Sequence, residues 1–98
     1  MDNKVTVIIL TYNEEKNIRT ALESIIDWAN NILVLDSGSN DKTVSICEEF
    51  GVKVYYRKFD NYGSQRNYAL TSLNIQTEWV LFLDADEYVT KELTEEID

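Results

Sequence analysis

Asp84 and Asp86 stand one residue apart, directly behind the apolar run Trp79-Val80-Leu81-Phe82-Leu83. Ionised carboxylates avoid apolar interiors unless something neutralises them, and a divalent cation carrying a phosphate ligand would do that. On an irregular turn the pair could chelate one hard cation, with diphosphate oxygens and water filling the remaining octahedral positions. The bland alternative is a solvated turn that caps the next helix. For an isolated Asp-x-Asp that alternative wins, but a position at the end of a buried strand favours a ligand site.

Two further polar clusters follow apolar runs in the same way. Thr11-Tyr12-Asn13-Glu14 comes after residues 5–10, and Asp36-Ser37-Gly38-Ser39 after residues 32–35. Tyr12 could pack its ring on a nucleobase and Thr11 could hydrogen-bond the base edge; a rim tyrosine closing the core is the competing reading. Asp36 could accept from a base N–H or a ribose hydroxyl while Gly38 lets the backbone approach closely; otherwise Asp36 is a turn or helix cap. Ser39-Asn40-Asp41 reads as capping. Arg66, in Gly63-Ser64-Gln65-Arg66-Asn67, could reach a phosphate or a carboxylate of the site, or form a surface ion pair. Cys47 reads as core, and Trp28, Trp79 and Phe50 read as packing residues.

The elements that must position these groups alternate. Residues 5–11 read as a buried strand rich in Val and Ile, and residues 32–36, 52–57 and 78–84 read as three further strands. Between the first two, Ile18, Ala21, Leu22, Ile25, Ile26 and Ala29 recur at helical spacing, with Asn13 as the expected N-cap and Glu14 and Glu15 at the positive end of the dipole. Ser39 or Asn40 is expected to cap a second helix through Phe50, with Val44, Cys47 and Phe50 inward and Gly51 ending it. A third helix is expected over residues 62–73 with Ala69, Leu70 and Leu73 inward, and a last one from near Thr90. This alternation predicts an α/β chain, a three-layer Rossmann-like arrangement around an open, mainly parallel sheet. If the first three strands wind outward and the fourth returns beside the first, the switch point falls between Thr11-Tyr12 and Asp84-Ala85-Asp86, and ligands of such sheets bind there.

With 98 residues the chain is read as one domain, residues 1–98, small for an enzyme that must hold two substrates. A net charge of −9 argues against a nucleic-acid surface, so an anionic ligand would need a metal, a helix N-terminus or a few placed cations. No apolar run approaches the ~18 residues of a membrane span, and the chain opens without a secretory signal. Its single cysteine excludes an internal disulfide. These features read as cytoplasmic. The sparse apolar content of the last residues, with only Leu93 and Ile97 in 92–98, makes the chain look cut from a longer protein, with a fourth-strand edge available for self-association.

Taken together, residues 9–15 (Ile-Leu-Thr-Tyr-Asn-Glu-Glu), 34–43 (Val-Leu-Asp-Ser-Gly-Ser-Asn-Asp-Lys-Thr) and 82–87 (Phe-Leu-Asp-Ala-Asp-Glu) resemble family 2 glycosyltransferases of the GT-A fold. The Asp-Ser-Gly-Ser form, with Gln65-Arg66-Asn67-Tyr68-Ala69, is similar to the branch that includes lipopolysaccharide-core glucosyltransferases. The resemblance implies an inverting transfer from a nucleoside diphosphate sugar, a UDP-sugar by expectation, to a glycan or lipid-linked acceptor in cell-envelope synthesis. It also suggests a peripheral place at the inner face of the membrane. It implies Thr11, Tyr12, Glu14 and Asp36 around the nucleoside, Asp84 near the ribose and metal, and Asp86 on Mn2+ or Mg2+. Leu10 stands where the family often has Pro, and Ser37 where it often has a second Asp. The family's catalytic base comes from its later half, beyond Asp98, so this part alone is expected to supply donor and metal binding without transfer. A Mg2+-dependent phosphohydrolase is the competing enzyme class, but its motif wants Thr or Val where Tyr88 stands.

Overall fold

A computed structural model describes residues 5–29, 31–73, 75, 77 and 79–85. The expected metal ligand Asp86, the start of the fourth strand at Glu78 and the helix expected from Thr90 lie outside them. The order is β1 (Val5–Thr11), α1 (Ile18–Ile25), β2 (Asn31–Asp36), α2 (Thr43–Glu49), β3 (Lys53–Tyr56), α3 (Tyr62–Ser72) and β4 (Trp79–Asp84). All strand pairs are parallel, in the spatial order β3-β2-β1-β4. The chain therefore winds outward from β1 to β3 and returns on the other side of β1, which creates the expected switch point beside β1.

Alternation along the central strands divides the core. Val5, Val7 and Ile9 of β1, with Ile32 and Val34 of β2, pack against Ile18, Ala21, Leu22 and Ile25 of α1 and Ile46 and Cys47 of α2. Ile8, Leu33 and Leu35 face the other way, onto Ala69 and Leu73 beside α3. A strand with both faces covered has no polar face, and this is why β1 and β2 read as continuous apolar runs. Thr6, buried on the second face, satisfies its hydroxyl against Thr77 at 2.6 Å.

The first two helices begin later than the sequence suggests. Asn13 takes φ 53° and is not a cap; its backbone N–H donates to Ser39 Oγ at 2.8 Å and its side-chain oxygen accepts from Asn40 N at 2.9 Å. The turn into α1 is started instead by the Glu14 carbonyl, which accepts from Asn17 and Ile18. Ser39 and Asn40 do not cap α2 either. Lys42 stands at the N-cap position without a side-chain cap bond, and Asp41 before it accepts from the backbone N–H of Thr43 at 2.9 Å. The buried face of α2 is Thr43, Ile46 and Cys47, with Val44 only half-buried. Asn61 caps α3 through Ser64 N at 2.8 Å. Leu70 at 50% and Trp79 at 61% exposure are surface residues, contrary to their expected packing roles, and Ile26 lies beyond the end of α1 at the surface.

Candidate functional site

The parallel register brings the strand ends level: Thr11 of β1 pairs with Asp36 of β2, and Leu10 with Asp84 of β4. Above this edge opens a cleft of about 490 Å³, lined by Leu10, Thr11, Tyr12, Glu14, Ser37, Lys58, Phe59, Gln65, Asp84 and Ala85. Four of the expected site residues, Thr11, Tyr12, Glu14 and Asp84, thus meet in one cavity. Tyr12 is 56% exposed there, so its ring lies at the cleft rather than in the core. The bland reading of Tyr12 as a core-closing residue is therefore not the one the structure adopts.

Asp36 sits behind the cleft wall at 3% exposure. Its Oδ1 accepts from Thr11 Oγ1 and Ser39 Oγ, both at 2.6 Å, and its Oδ2 accepts from Gly38 N at 2.9 Å and Ser39 N at 2.7 Å. Two donors on each oxygen fill the carboxylate's capacity, so in this arrangement it shapes the loop from within. Burial pushes the Asp36 carboxyl up, but the hydrogen bonds from Ser39, Thr11 and Gly38 outweigh it and hold the group below its ordinary value. Gly38 has φ +106°, and a Cβ there would come 3.2 Å from the Tyr56 ring; the close approach it permits is to the protein's own aromatic.

The loops after β1 and β2 are clasped together. Glu14 N donates to Thr43 Oγ1 at 2.8 Å, Thr43 Oγ1 donates to Asp41 Oδ1 at 2.5 Å, Glu15 N donates to Asp41 Oδ2 at 3.3 Å, and Lys42 N donates to Glu15 Oε1 at 2.9 Å. With the Asn13 bonds, this clasp fixes the backbone that carries Tyr12 and Glu14 into the cleft.

Arg66 is not brought to the cleft lining; its guanidinium lies over the Phe82 ring, 5.6 Å from the centroid. The cation that does line it is Lys58, on the segment between β3 and α3 together with Phe59. The same segment is braced by Arg57, which donates to Asp60 at 3.0 Å and to Gln65 Oε1 at 2.7 Å, and whose guanidinium carbon lies 5.4 Å from the Tyr68 ring centroid. Lys58, Phe59, Ser37 and Gln65 were not singled out as site residues by the sequence. The signals for them were weak: Lys58 and Phe59 follow a strand but not an apolar run, and Gln65 shares the four-residue stripe of Ala69 and Leu73.

As a metal site, the described part offers the exposed carboxylate of Asp84 at the β4 end, with Glu14 also on the cleft wall. No group of three metal-ligating side chains occurs among the described residues. Hard oxygen donors of this kind fit a cation that takes its other ligands from a bound diphosphate and water. Among the described residues, no helix is long and apolar enough to cross a membrane.

Comparison with known proteins agrees with this geometry. The model of the family described as Glycosyl transferase family 2 matches residues 6–97. An uncharacterized glycosyltransferase of Rickettsia bellii is 38% identical over 98 residues, covering 100% of this chain and 33% of the relative, so the chain spans about a third of that relative's length. The crystal structure of S. aureus TarS 1–349 in complex with UDP-GlcNAc superposes with a TM-score of 0.76 at 31% identity, over 95% of this chain and 29% of that one. Glucosyl-3-phosphoglycerate synthase from Mycobacterium tuberculosis, in complex with Mn2+, UDP and glucosyl-3-phosphoglycerate, shares the fold with a TM-score of 0.69 at 24% identity, over 87% of this chain and 35% of that one. With the family model matched over nearly all its residues and the fold shared with these structures, the chain belongs to glycosyl transferase family 2 and has the GT-A fold.

Proposed function

We propose that this chain forms the donor side of an inverting glycosyltransferase, binding a nucleoside diphosphate sugar, a UDP-sugar in the first instance, in the cleft at the β1/β4 switch point. The observation that carries this reading is the convergence of Thr11, Tyr12, Glu14 and Asp84 on one cavity at the strand ends. The UDP-GlcNAc complex of TarS, a related structure, supports the choice of donor. Tyr12 packs on the base, Thr11 and Glu14 bound the nucleoside, and Asp36 acts from behind by holding Thr11 and the Gly38 loop. Lys58 contributes the positive charge for the phosphates. Asp84, with Asp86, would hold Mn2+ or Mg2+, which when bound stabilises the departing diphosphate as negative charge grows on it.

The acceptor in this proposal is a glycan or lipid-linked sugar of the cell envelope, handled on the cytoplasmic side. No activating base for it is assigned among the described residues, because the carboxylates lining the cleft, Glu14 and Asp84, are both given to the donor. Calorimetry with UDP, UMP and uridine, each with Mn2+ or with EDTA, tests the reading. UDP is expected to bind more tightly than UMP, and only with the metal. Equal UDP binding in Mn2+ and in EDTA would remove the metal from the account, and no binding of UDP would remove the donor site.

A further inference from the structure

Asp60 stands out of place beside a site for an anion. It is an exposed carboxylate two residues from Lys58, the cation given to the phosphates, and neither it nor Arg57 lines the cleft. Cα atoms two residues apart lie at most ~7 Å from each other, within the ~10 Å screening length of dilute salt, so its charge is felt at Lys58. By Coulomb's law alone such a group repels a diphosphate. Yet the carboxylate is kept ionised: the hydrogen bond from Arg57, ahead of the one from Asn61 N, holds it below its ordinary value.

The partner accounts for the acid. Arg57 Nη1 donates to Asp60 Oδ1 at 3.0 Å and to Gln65 Oε1 at 2.7 Å, Nη2 donates to Asp60 Oδ2 at 3.4 Å, and the guanidinium lies over the Tyr68 ring. Gln65, buried on α3, also donates from Nε2 to the Arg57 carbonyl at 3.2 Å, so it grips both the side chain and the peptide that leads into Lys58. The Arg57 backbone N–H is held by the Asp36 carbonyl at 3.0 Å. Guanidinium and carboxylate thus close a ring across Lys58 and Phe59, the two residues of this segment that line the cleft. An exposed ion pair by itself contributes little, but this one is a two-point fork, closes a short turn and is seated on a buried amide. A lysine carries the same charge on a single nitrogen and cannot form that fork.

We infer that Arg57 is a positioning residue for donor binding: stapled to Asp60 and seated on Gln65, it holds the Lys58–Phe59 turn at the cleft and so aims Lys58 at the diphosphate. The inference rests on the donor reading above. Calorimetry with UDP and Mg2+ tests it on the unaltered protein, Arg57→Lys and Asp60→Ala, and on the same changes in a Lys58→Ala background. Asp60→Ala is the deciding variant, because charge and staple act on it with opposite sign. Removal of a nearby negative charge would by itself tighten UDP up to about twofold. Loss of the staple is expected to weaken UDP about three- to tenfold. Arg57→Lys, which keeps the charge and loses the fork, is expected to weaken it comparably. In the Lys58→Ala background neither change weakens UDP further, because the group they aim is gone.

An Asp60→Ala protein that binds UDP as tightly as the unaltered one, or more tightly, overturns the staple. Equal losses in both backgrounds overturn the action through Lys58. Full affinity in Lys58→Ala removes Lys58 from the phosphates, and this inference with it, while leaving the donor site in place. Failure of the unaltered protein to bind UDP overturns the donor reading itself. Asp60→Ala decides the matter even if Arg57→Lys does not fold, since it alters an exposed side chain and leaves the Arg57–Gln65 contacts intact.

Discussion

A buried carboxylate usually needs a cation beside it, and at Asp36 hydrogen bonds from Thr11, Gly38 and Ser39 do the work instead. Asp36→Asn would turn an amide N–H toward groups that are themselves donors, at a cost of about 1–3 kcal/mol in a urea unfolding titration. The pH dependence follows from the direction of the shift. Because the folded-state value is depressed, the contribution of Asp36 is fully present above its unfolded value near 3.8 and is lost as pH falls through the folded one. The unaltered protein should therefore lose stability below about pH 4, and Asp36→Asn should flatten that part of the profile. A profile unchanged by the substitution would mean that this carboxylate is not held as described. At this scale the sequence was informative where chemistry follows an apolar run, as at Thr11, Tyr12 and Asp84. It concealed Lys58 and Phe59 because the strand before them, β3, is half exposed and leaves no such run. Gln65 was hidden for another reason: a polar residue on a helix reads as solvent-facing unless its partners are known.

Among the elements, the decisive feature is the clasp between the loops that follow β1 and β2. Thr43 is fully buried at its centre, accepting from Glu14 N and donating to Asp41. Thr43→Val keeps the volume but leaves the Glu14 N–H without its acceptor, so we expect a loss of about 1–3 kcal/mol together with weaker UDP binding. Calorimetry of UDP binding beside urea unfolding checks both parts; a stability loss with unchanged binding would confine the clasp to holding the fold. The same clasp explains why the starts of α1 and α2 were misread. Asn13, Ser39 and Asn40 are good capping residues by type, but their donors and acceptors are taken by contacts 26 or 27 residues away, or by Asp36, and local spacing carries no trace of such partners. The strand order was legible because βαβ alternation leaves few topologies, and because only a return of the fourth strand to β1 brings its acidic end to the Thr11 cluster.

At the scale of the molecule, a chain of net charge −9 is proposed to bind a ligand that is itself an anion. The long-range field opposes that encounter, so in the proposed reading recognition comes from local groups: Lys58, a cation at Asp84 and the ring of Tyr12. The central claim is the place of binding, and backbone amide chemical shifts measured during titration with UDP and Mg2+ test it most directly. The account predicts shifts concentrated at residues 11–14, 37–39, 58–65 and 84–85, along the strand ends that line the cleft. Shifts confined to the opposite end of the sheet, around the open pocket of about 240 Å³ bordered by Ile26, Asn31, Phe50 and Lys53, would contradict it.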